Sequence, residues 1–266
     1  MRIFTFKNLR ILILIFILGA VLLYTQDQKL VTQGWYKPLE VAIFPINAST
    51  DPDANVNVER YISNLNSKSF ADIDTFIKRE SEKYDVVSST PTTTNLGEKV
   101  LTLPPKPPGI NANPLKIAFW SMKLRWWAMQ NTPDNISNKH RVRIFVLYHD
   151  ENTNQKLEHS LGIQKGLLGI VHAFASHEQA KQNNIVIAHE LLHTVGASDK
   201  YDADGNPQPP DGLGEPNLNP LYPQKRAEIM AGTIASSQSK SKMAHSLKRC
   251  VVGKKTAQEI GWLPLK

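Results

Sequence analysis

The alternation of hydrophobic and polar residues divides most of the chain into short strands and amphipathic helices. Strands are predicted at residues 39–46 (LEVAIFPI), at 141–149 (RVRIFVLYH), where every second side chain is apolar, and at 166–175 (GLLGIVHAFA). Apolar residues recur at spacings of three and four after Ser69, which suits a helix cap, and after Pro114, which suits a first turn. This order of elements predicts an α+β fold.

Both helices carry an apolar stripe that we interpret as core packing. The first stripe consists of Phe70, Ile73, Phe76, Ile77 and Tyr84. The second, within and around the run FWSMKLRWW, consists of Leu115, Phe119, Met122, Trp126 and Met129. Because the second stripe has helical spacing, core packing is favoured over an aromatic surface for stacking ligands.

Proline and polar residues interrupt this pattern. Residues 88–110, which include PPKPPG, predict an extended insertion at the surface, and the run NASTDPDAN after the first strand predicts a turn. A short closing helix is expected from Lys254, with Ile260 and Trp262 docked on the core. DADGN, at residues 202–206, predicts a polar turn and not a calcium loop, because its glycine is misplaced and no glutamate closes it.

The first 30 residues differ from the rest of the chain. Arg2, Lys7 and Arg10 precede an apolar run of about 14 residues, which is short for a spanning helix of ~20. This pattern is typical of an export signal or a membrane anchor, and an uncleaved anchor is favoured because no small-residue cleavage site follows. The remainder, residues 31–266, is then exported and faces the extracytoplasmic side, or is secreted if the segment is cleaved.

Composition fits a globular exported domain. The 266 residues are 41% hydrophobic and 21% charged, and 31 Lys+Arg against 24 Asp+Glu give a net charge of +7. Three of these positive charges lie in the N-terminal flank, so the exported part has 28 basic against 24 acidic residues, or +4. This small excess predicts no nucleic-acid partner. Cys250 is the single cysteine, so an intrachain disulfide is excluded and a buried side chain is expected.

The candidate chemistry lies in HELLHTVGASDK, residues 189–200. His189 and His193 are four residues apart, so on a helix their Cβ atoms lie about 5–6 Å apart on one face, a spacing that suits two bonds to one Zn²⁺. Glu190 is displaced by ~100° around the helix axis. It is therefore expected to act on a water at the metal and not as a ligand.

A third ligand is expected after the helix. Gly196 follows the last apolar position and predicts a left-handed helix stop, which turns the chain so that Asp199 returns to the histidines. Two histidines and a carboxylate leave one zinc position open for water, as in catalytic sites. Ser176 and Gln179 have capping-box spacing, which predicts a helix from there to about residue 195. Its core-facing stripe consists of Ile185, Ala188, Leu192 and Val195.

The chain resembles a known family in two separate motifs. The extended HExxHxxGxxH/D motif of the metzincin metallopeptidases is matched by His189, Glu190, His193, Gly196 and Asp199. The aspartate-ended form, with Tyr201 following, is similar to that of the snapalysins. EIMAG, which contains Met230, stands 31 residues after Asp199 and resembles the methionine turn beneath the metal. The region before about residue 140 matches no one family.

The resemblance implies a metzincin-like two-lobed catalytic domain, with a mixed twisted sheet and an active-site helix above a methionine-turn lobe. The lobes would comprise about residues 31–196 and 197–266. It implies a zinc-dependent endopeptidase that acts on a protein or peptide, with Glu190 as general base. The implied zinc ligands are His189, His193 and Asp199, and the implied supporting residues are Gly196 and Met230.

The third predicted strand is similar to the edge strand above the metzincin cleft. An extended substrate would pair with it as an added strand, and the positions expected to bind it are Gly169, Val171 and Ala173. In matrix metalloproteinases a histidine at the place of His172 holds a structural zinc. Since the rest of that pattern is missing, His172 is interpreted as a strand residue. Whether it binds a second metal together with His149 and Asp150 is left open.

One departure from the family leaves alternatives. Many metzincins have a tyrosine two residues after the methionine, where this chain has Gly232, and Tyr201 or Tyr222 would have to substitute. The second class of function is an envelope-anchored zinc-containing binding or scaffold protein, a degenerate peptidase. A cell-wall peptide hydrolase would share the chemistry and differ in substrate. Residues 205–223 are expected to shape the substrate pocket.

Overall fold

The structure, a computed structural model, describes residues 6–109, 111–133, 141–153, 157–164 and 166–264. Arg2 of the predicted cationic flank and Ile110 at the end of the predicted insertion lie outside them. The described part is a mixed α+β fold, which confirms the predicted fold class at this coarse level.

The first described element is α1 (Phe6–Gly34), a 29-residue helix that contains most of the predicted anchor. Most of its apolar side chains up to residue 23 are exposed. Its C-terminal end, in contrast, packs on the rest of the molecule. Gln33 Nε2 donates to the carbonyl of Val195 at 2.7 Å, and the indole N–H of Trp35 donates to the carbonyl of Ile260 at 2.7 Å.

A mixed sheet lies at the centre. Its strands are β1 (Leu39–Asn47), β2 (Thr92–Leu96), β3 (Val142–His149), β4 (Leu161–Ile163) and β5 (Leu168–Phe174). Within the described residues they form one five-stranded sheet in the order β2-β1-β3-β5-β4. The first four strands in this order are parallel, and β4 runs antiparallel to β5 at one edge. The three strands predicted from the sequence are thus confirmed.

Helices cover both faces of the sheet. On one face lie α2 (Pro52–Ser63), α3 (Ala71–Glu82) and α5 (Ala180–Thr194), and on the other lies α4 (Pro114–Gln130). Because strand side chains alternate in direction, the sheet supplies two cores. The core against α2, α3 and α5 includes Val41, Ile43, Val58, Ile73, Phe76, Ile144, Val146 and Leu191. The core against α4 includes Phe44, Ile46, Leu124, Ala128, Phe145 and Leu147.

The apolar stripe of α4 does not pack in the core. Leu124 and Ala128 face the sheet and are fully buried. The residues predicted to be buried are 56% to 81% exposed, namely Leu115, Phe119, Met122, Trp126 and Met129. The prediction is wrong because this helix is apolar on two opposite sides, and periodicity does not reveal which side meets the sheet.

Two elements lie where a turn and an insertion are predicted. α2 begins within NASTDPDAN, where the carboxylate of Asp51 accepts the N–H groups of Asp53 and Ala54 at 2.9 and 3.0 Å. β2 lies within the proline-rich stretch, and its Thr92 hydroxyl donates to Asp74 of α3 at 2.7 Å. Both predictions are wrong in part, because the same residues favour a turn and a helix start, and because threonines also favour strands.

Two helix starts also differ from the predictions. Asn66, and not Ser69, caps the 3-10 turn before α3, and the Ser69 hydroxyl accepts the Asn66 N–H at 3.1 Å. At α5, Gln179 occupies the cap position without a side-chain hydrogen bond, so the capping box with Ser176 is wrong. The Asn183 amide instead binds the end of β5 at 2.9 Å.

Short elements follow α5. They are β6 (Ala227–Glu228), β7 (Thr233–Ser237), β8 (Lys240–Met243), β9 (Cys250–Val251) and α6 (Lys254–Glu259). β6 pairs with β9 in parallel, and β7 with β8 as a hairpin. Ile260 and Trp262 are buried, which confirms the docked closing helix, and Cys250 is fully buried as predicted.

Candidate metal centre

α5 holds its two histidines on a fixed support. Ile185, Ala188, Leu192 and Val195 are at most 1% exposed, so the predicted core-facing stripe is confirmed. The edge with His189 and His193 is only partly covered. Since the other side of the helix is packed, the imidazoles are presented from a rigid element.

Gly196 ends this helix and turns the chain. Its φ of +113° is left-handed, and the next N–H, of Ala197, donates back to the carbonyl of Leu192 at 3.0 Å. A Cβ at Gly196 would lie 2.6 Å from the Gln33 amide nitrogen. The left-handed turn therefore favours glycine, and a larger residue would also displace the Gln33 amide. The turn returns Asp199 to the histidines as expected.

Three donor atoms converge at one point. The Nε2 atoms of His189 and His193 lie 3.0 Å apart, and Asp199 Oδ1 lies 3.2 and 3.1 Å from them. Ligands of a tetrahedral zinc with bonds of about 2.0–2.1 Å are separated by about 3.3 Å. Slight outward movement of the three side chains therefore suffices to hold one ion, and the predicted trio is brought together.

Backbone carbonyls orient both imidazoles. Nδ1 of His189 donates to the carbonyl of Ile229 at 3.0 Å, and Nδ1 of His193 donates to the carbonyl of Ala197 at 2.8 Å. Because a carbonyl only accepts, each Nδ1 carries the hydrogen of the neutral ring, and each Nε2 presents its lone pair to the cluster.

Hydrogen bonds fix the turn at residues 228–230, which lies next to His189. Met230 follows Ile229, is fully buried, and accepts the Lys200 N–H at 3.0 Å through its carbonyl. The buried carboxylate of Glu228 accepts the N–H of Met230 and, at 2.7 Å, the hydroxyl of Thr256. Burial raises the pKa of Glu228. These bonds fix the Ile229 carbonyl and thereby one imidazole.

Glu190 lies beside the three donor atoms, and one of its carboxylate oxygens has no hydrogen-bond partner among the described residues. This oxygen is Oε2, and the residue is 5% exposed. Burial raises its pKa and the charge of Asp199 adds to this, while His189, His193 and a backbone hydrogen bond from Gly162 to the carboxylate oppose it. A buried acceptor without a donor is costly unless something binds there.

The cluster concentrates charge. Burial alone would raise the pKa of Asp199, but hydrogen bonds from the His189 and His193 rings, when these are also protonated at Nε2, outweigh it and lower that pKa. Burial likewise opposes protonation of His189, yet its hydrogen bond with Asp199 and the nearby Glu190 raise its pKa. Positive charge next to the Asp199 carboxylate is therefore favoured.

The sheet edge above the cluster is β4 and not β5. β5 pairs with β3 on one side and with β4 on the other, so the prediction that it forms the edge is wrong. Gly169 pairs with Gly162 of β4, and Val171 and Ala173 are buried. The sequence did not reveal β4 because three residues carry no visible periodicity.

β4 also lies directly against α5. A Cβ on Gly162 would lie 2.5 Å from the Cβ of His193 and 2.6 Å from the carbonyl oxygen of Glu190. Only glycine permits this approach. The residue belongs to the site and was missed, since its sole signal is one glycine in a short apolar run.

Tyr201 lies next to the cluster, as its position after Asp199 predicts. Its ring stacks near that of His189, with centroids 6.5 Å apart, and it remains partly exposed. Burial first, and then the charge of Asp199, raise the pKa of its hydroxyl to about 12. The hydroxyl thus keeps its proton at neutral pH.

The other predicted histidines lie elsewhere. His149 Nε2 and His172 Nδ1 are 3.0 Å apart on the α4 side of the sheet, lining a cavity of about 290 Å³. Asp150 is buried and accepts the N–H of Asn152 at 2.7 Å, away from this pair. The cavity and the cluster of His189, His193 and Asp199 therefore lie on opposite faces of the sheet.

Comparisons with known proteins add no family. No protein-family model matches the chain, and a search of curated proteins gives no significant match.

Proposed function

We propose that the protein is a zinc-dependent endopeptidase. One observation carries the proposal, namely the buried Glu190 oxygen without a partner beside three converging donor atoms. A site that only held an ion for structure would have no use for an acid at this position. A site that removes a proton from water requires one.

The donor set fits zinc. Two imidazole nitrogens and one carboxylate oxygen suit Zn²⁺, and three protein ligands leave a position open, as in catalytic centres. His189, His193 and Asp199 would hold the ion. When bound, Zn²⁺ supplies a Lewis acid that polarises a carbonyl and lowers the pKa of water to ~7.

Glu190 and Tyr201 would then act on the substrate. Glu190, with its raised pKa, accepts the proton of the attacking water and delivers it to the leaving amine. The Tyr201 hydroxyl, protonated at neutral pH, donates a hydrogen bond to the oxygen of the scissile carbonyl. The second role replaces the tyrosine that is missing at Gly232.

An extended peptide would bind along β4. This strand forms the edge of the described sheet above the metal centre, and its outer side can accept an added strand. Because Gly162 lies against His193 and Glu190, a peptide beside β4 passes close to the donor cluster. Residues 205–223, which lie between Asp199 and Met230 in the sequence, would shape the substrate pocket.

The domain would act outside the cytoplasm. α1 is long and apolar enough to cross a membrane by length and composition. Its N-terminal flank carries Lys7 and Arg10, which favours a cytoplasmic N-terminus and an extracytoplasmic domain. The proposed family, a metzincin-like peptidase with two lobes, is consistent with export.

The proposal is tested by cleavage of a denatured protein by the full chain in detergent micelles. Zinc-loaded wild type should cleave, and Glu190→Gln with equal zinc content should be slower by about 10²–10⁴-fold. The exposed Glu178→Gln is the matched control and should retain activity. Cleavage by Glu190→Gln at the wild-type rate would refute the role of the glutamate.

The same preparation distinguishes the alternatives. A scaffold protein binds zinc but cleaves neither denatured protein nor cell-wall peptides. A cell-wall hydrolase cleaves only the second substrate, and then only with Glu190 intact. The buried position of Glu190 favours hydrolysis over the scaffold function.

A further inference from the structure

α4 presents an apolar row to solvent opposite its buried side. Leu124 faces the sheet, and Met122 is rotated from it by about 160° at 3.6 residues per turn. The exposed row has spacings of four and three and consists of Leu115, Phe119, Met122, Trp126 and Met129. Large exposed apolar patches mark interaction surfaces.

The charges of α4 are of one sign. Its 17 residues include Lys116, Lys123 and Arg125 and no acidic residue. Lys116 and Lys123 are two turns apart and exposed, so they lie on one line beside the apolar row. An apolar row bordered by cations is typical of a helix that lies in the interface of an anionic membrane.

With α1 in a membrane, its exposed stretch would bring a bilayer close to one end of α4. Residues 6–23 project with their apolar side chains exposed and are about 27 Å long at ~1.5 Å per residue, close to the ~30 Å of a hydrocarbon core. Beyond them α1 packs along the domain. Burial lowers the pKa of Arg143 and the nearby Tyr24 of α1 opposes this, while the guanidinium of Arg143 lies 3.5 Å from the Thr132 hydroxyl, just after α4. The end of α4 therefore lies near the point at which the exposed apolar stretch of α1 ends.

We propose that α4 docks the domain on the anionic lipid surface in which α1 is anchored. The apolar row enters the boundary between headgroups and acyl chains, and Lys116 and Lys123 contact lipid phosphates. A second copy of the chain is disfavoured, since two lysine-bordered faces without acids repel each other. The inference goes beyond the peptidase proposal, and it requires α1 in a membrane but neither zinc nor Glu190.

Docking of α4 on lipid would determine which substrates reach the donor cluster on α5. α5 and its donor cluster lie on the opposite face of the sheet from α4. With α4 on the lipid, the metal centre faces the aqueous side, close to the membrane but open to soluble or surface-bound peptides.

The full chain tests this inference through a fluorophore on a single introduced cysteine. Met122→Cys places the label in the apolar row, and Val87→Cys places it on an exposed loop after α3. The native Cys250 is fully buried and its pKa is raised to about 12, so it does not compete for the label. Each protein is reconstituted into phosphatidylcholine vesicles with or without phosphatidylglycerol, and quenching by lipid-borne nitroxide is measured.

The label at position 122 should be quenched in vesicles with phosphatidylglycerol, and the label at position 87 should not. Lys116→Gln with Lys123→Gln should lower the ratio of docked to undocked chain about fivefold for each lysine. Equal quenching at positions 122 and 87 overturns the proposal. So does a blue shift at position 122 that grows with protein concentration in detergent alone, since it would assign the row to self-association.

Discussion

His189 and Ile229 are joined by a 3.0 Å hydrogen bond between the imidazole Nδ1 and the backbone carbonyl, although 40 residues separate them in sequence. The bond connects α5 to the turn at Met230. The orientation of one proposed zinc ligand therefore depends on the segment that follows the helix, and we expect zinc affinity and the order of that segment to be coupled.

Glu228→Gln should weaken this support. The buried carboxylate accepts from Met230, Gly253 and Thr256, and an amide offers a donor where acceptors are needed. We expect a loss of about 1–3 kcal/mol in unfolding free energy and a zinc affinity lower by about 10–100-fold. Denaturant unfolding and zinc titration measure the two effects. Wild-type zinc affinity in the variant would contradict the coupling, and Glu178→Gln is the control.

Gly162→Ala should damage the centre from the sheet side. The new methyl group would lie within 2.6 Å of His193 and of the Glu190 backbone, which are held in α5. We expect lower thermal stability and a reduced kcat/KM. Gly109→Ala, with no described atom within 4 Å of its Cβ, should behave as wild type. If the two variants have the same melting temperature and activity, β4 does not lie against α5.

Gln33→Leu tests the junction of α1 with the domain. Gln33 donates to the carbonyls of Val195 and Glu259 at 2.7 and 3.0 Å, and leucine leaves both without this donor. A loss of about 1–3 kcal/mol in unfolding free energy is expected. The exposed Gln26→Leu is the matched control. Equal stability of the two variants would show that the end of α1 is not part of the folded domain.

The histidine pair on the other face predicts a pH effect on stability. Burial first, and then the nearby His172, lower the pKa of His149 to about 4, against about 6.5 in an unfolded chain. A lowered histidine pKa favours the neutral form in the folded state. The contribution of neutral His149 to the free energy of unfolding is therefore complete above pH ~6.5, and it is lost as the pH falls from there toward ~4.

His149→Leu should remove part of this pH dependence. The melting temperature of wild type should fall more between pH 7 and pH 5 than that of the variant, whereas the exposed His245→Leu should follow wild type. An equal fall in all three proteins would mean that His149 is protonated without cost to the fold.

The sequence predicted most of the site because its signals are local. The spacing of His189 and His193 requires only a helix, and Gly196 needs only its neighbours to end that helix and return Asp199. Glu190 also follows from helix geometry. Its buried, partnerless oxygen does not, because this depends on what the rest of the fold places around it.

The predictions are wrong where contacts between residues distant in sequence determine the structure. Periodicity located α4 but not the side that meets the sheet, which depends on where Phe145 and Leu147 project. The inner position of β5 follows from three residues, Leu161–Ile163, that pair beside it. Similarly, β2 within the proline-rich stretch depends on pairing with β1 and on Asp74.

Anomalous diffraction at the zinc edge from zinc-soaked crystals tests the central claim most directly. We expect one ion bound to Nε2 of His189, Nε2 of His193 and a carboxylate oxygen of Asp199, at distances of about 2.0–2.2 Å. We also expect Glu190 within reach of a water on that ion. A map with no peak among these three side chains, or an ion bound elsewhere while they point apart, would contradict the claim.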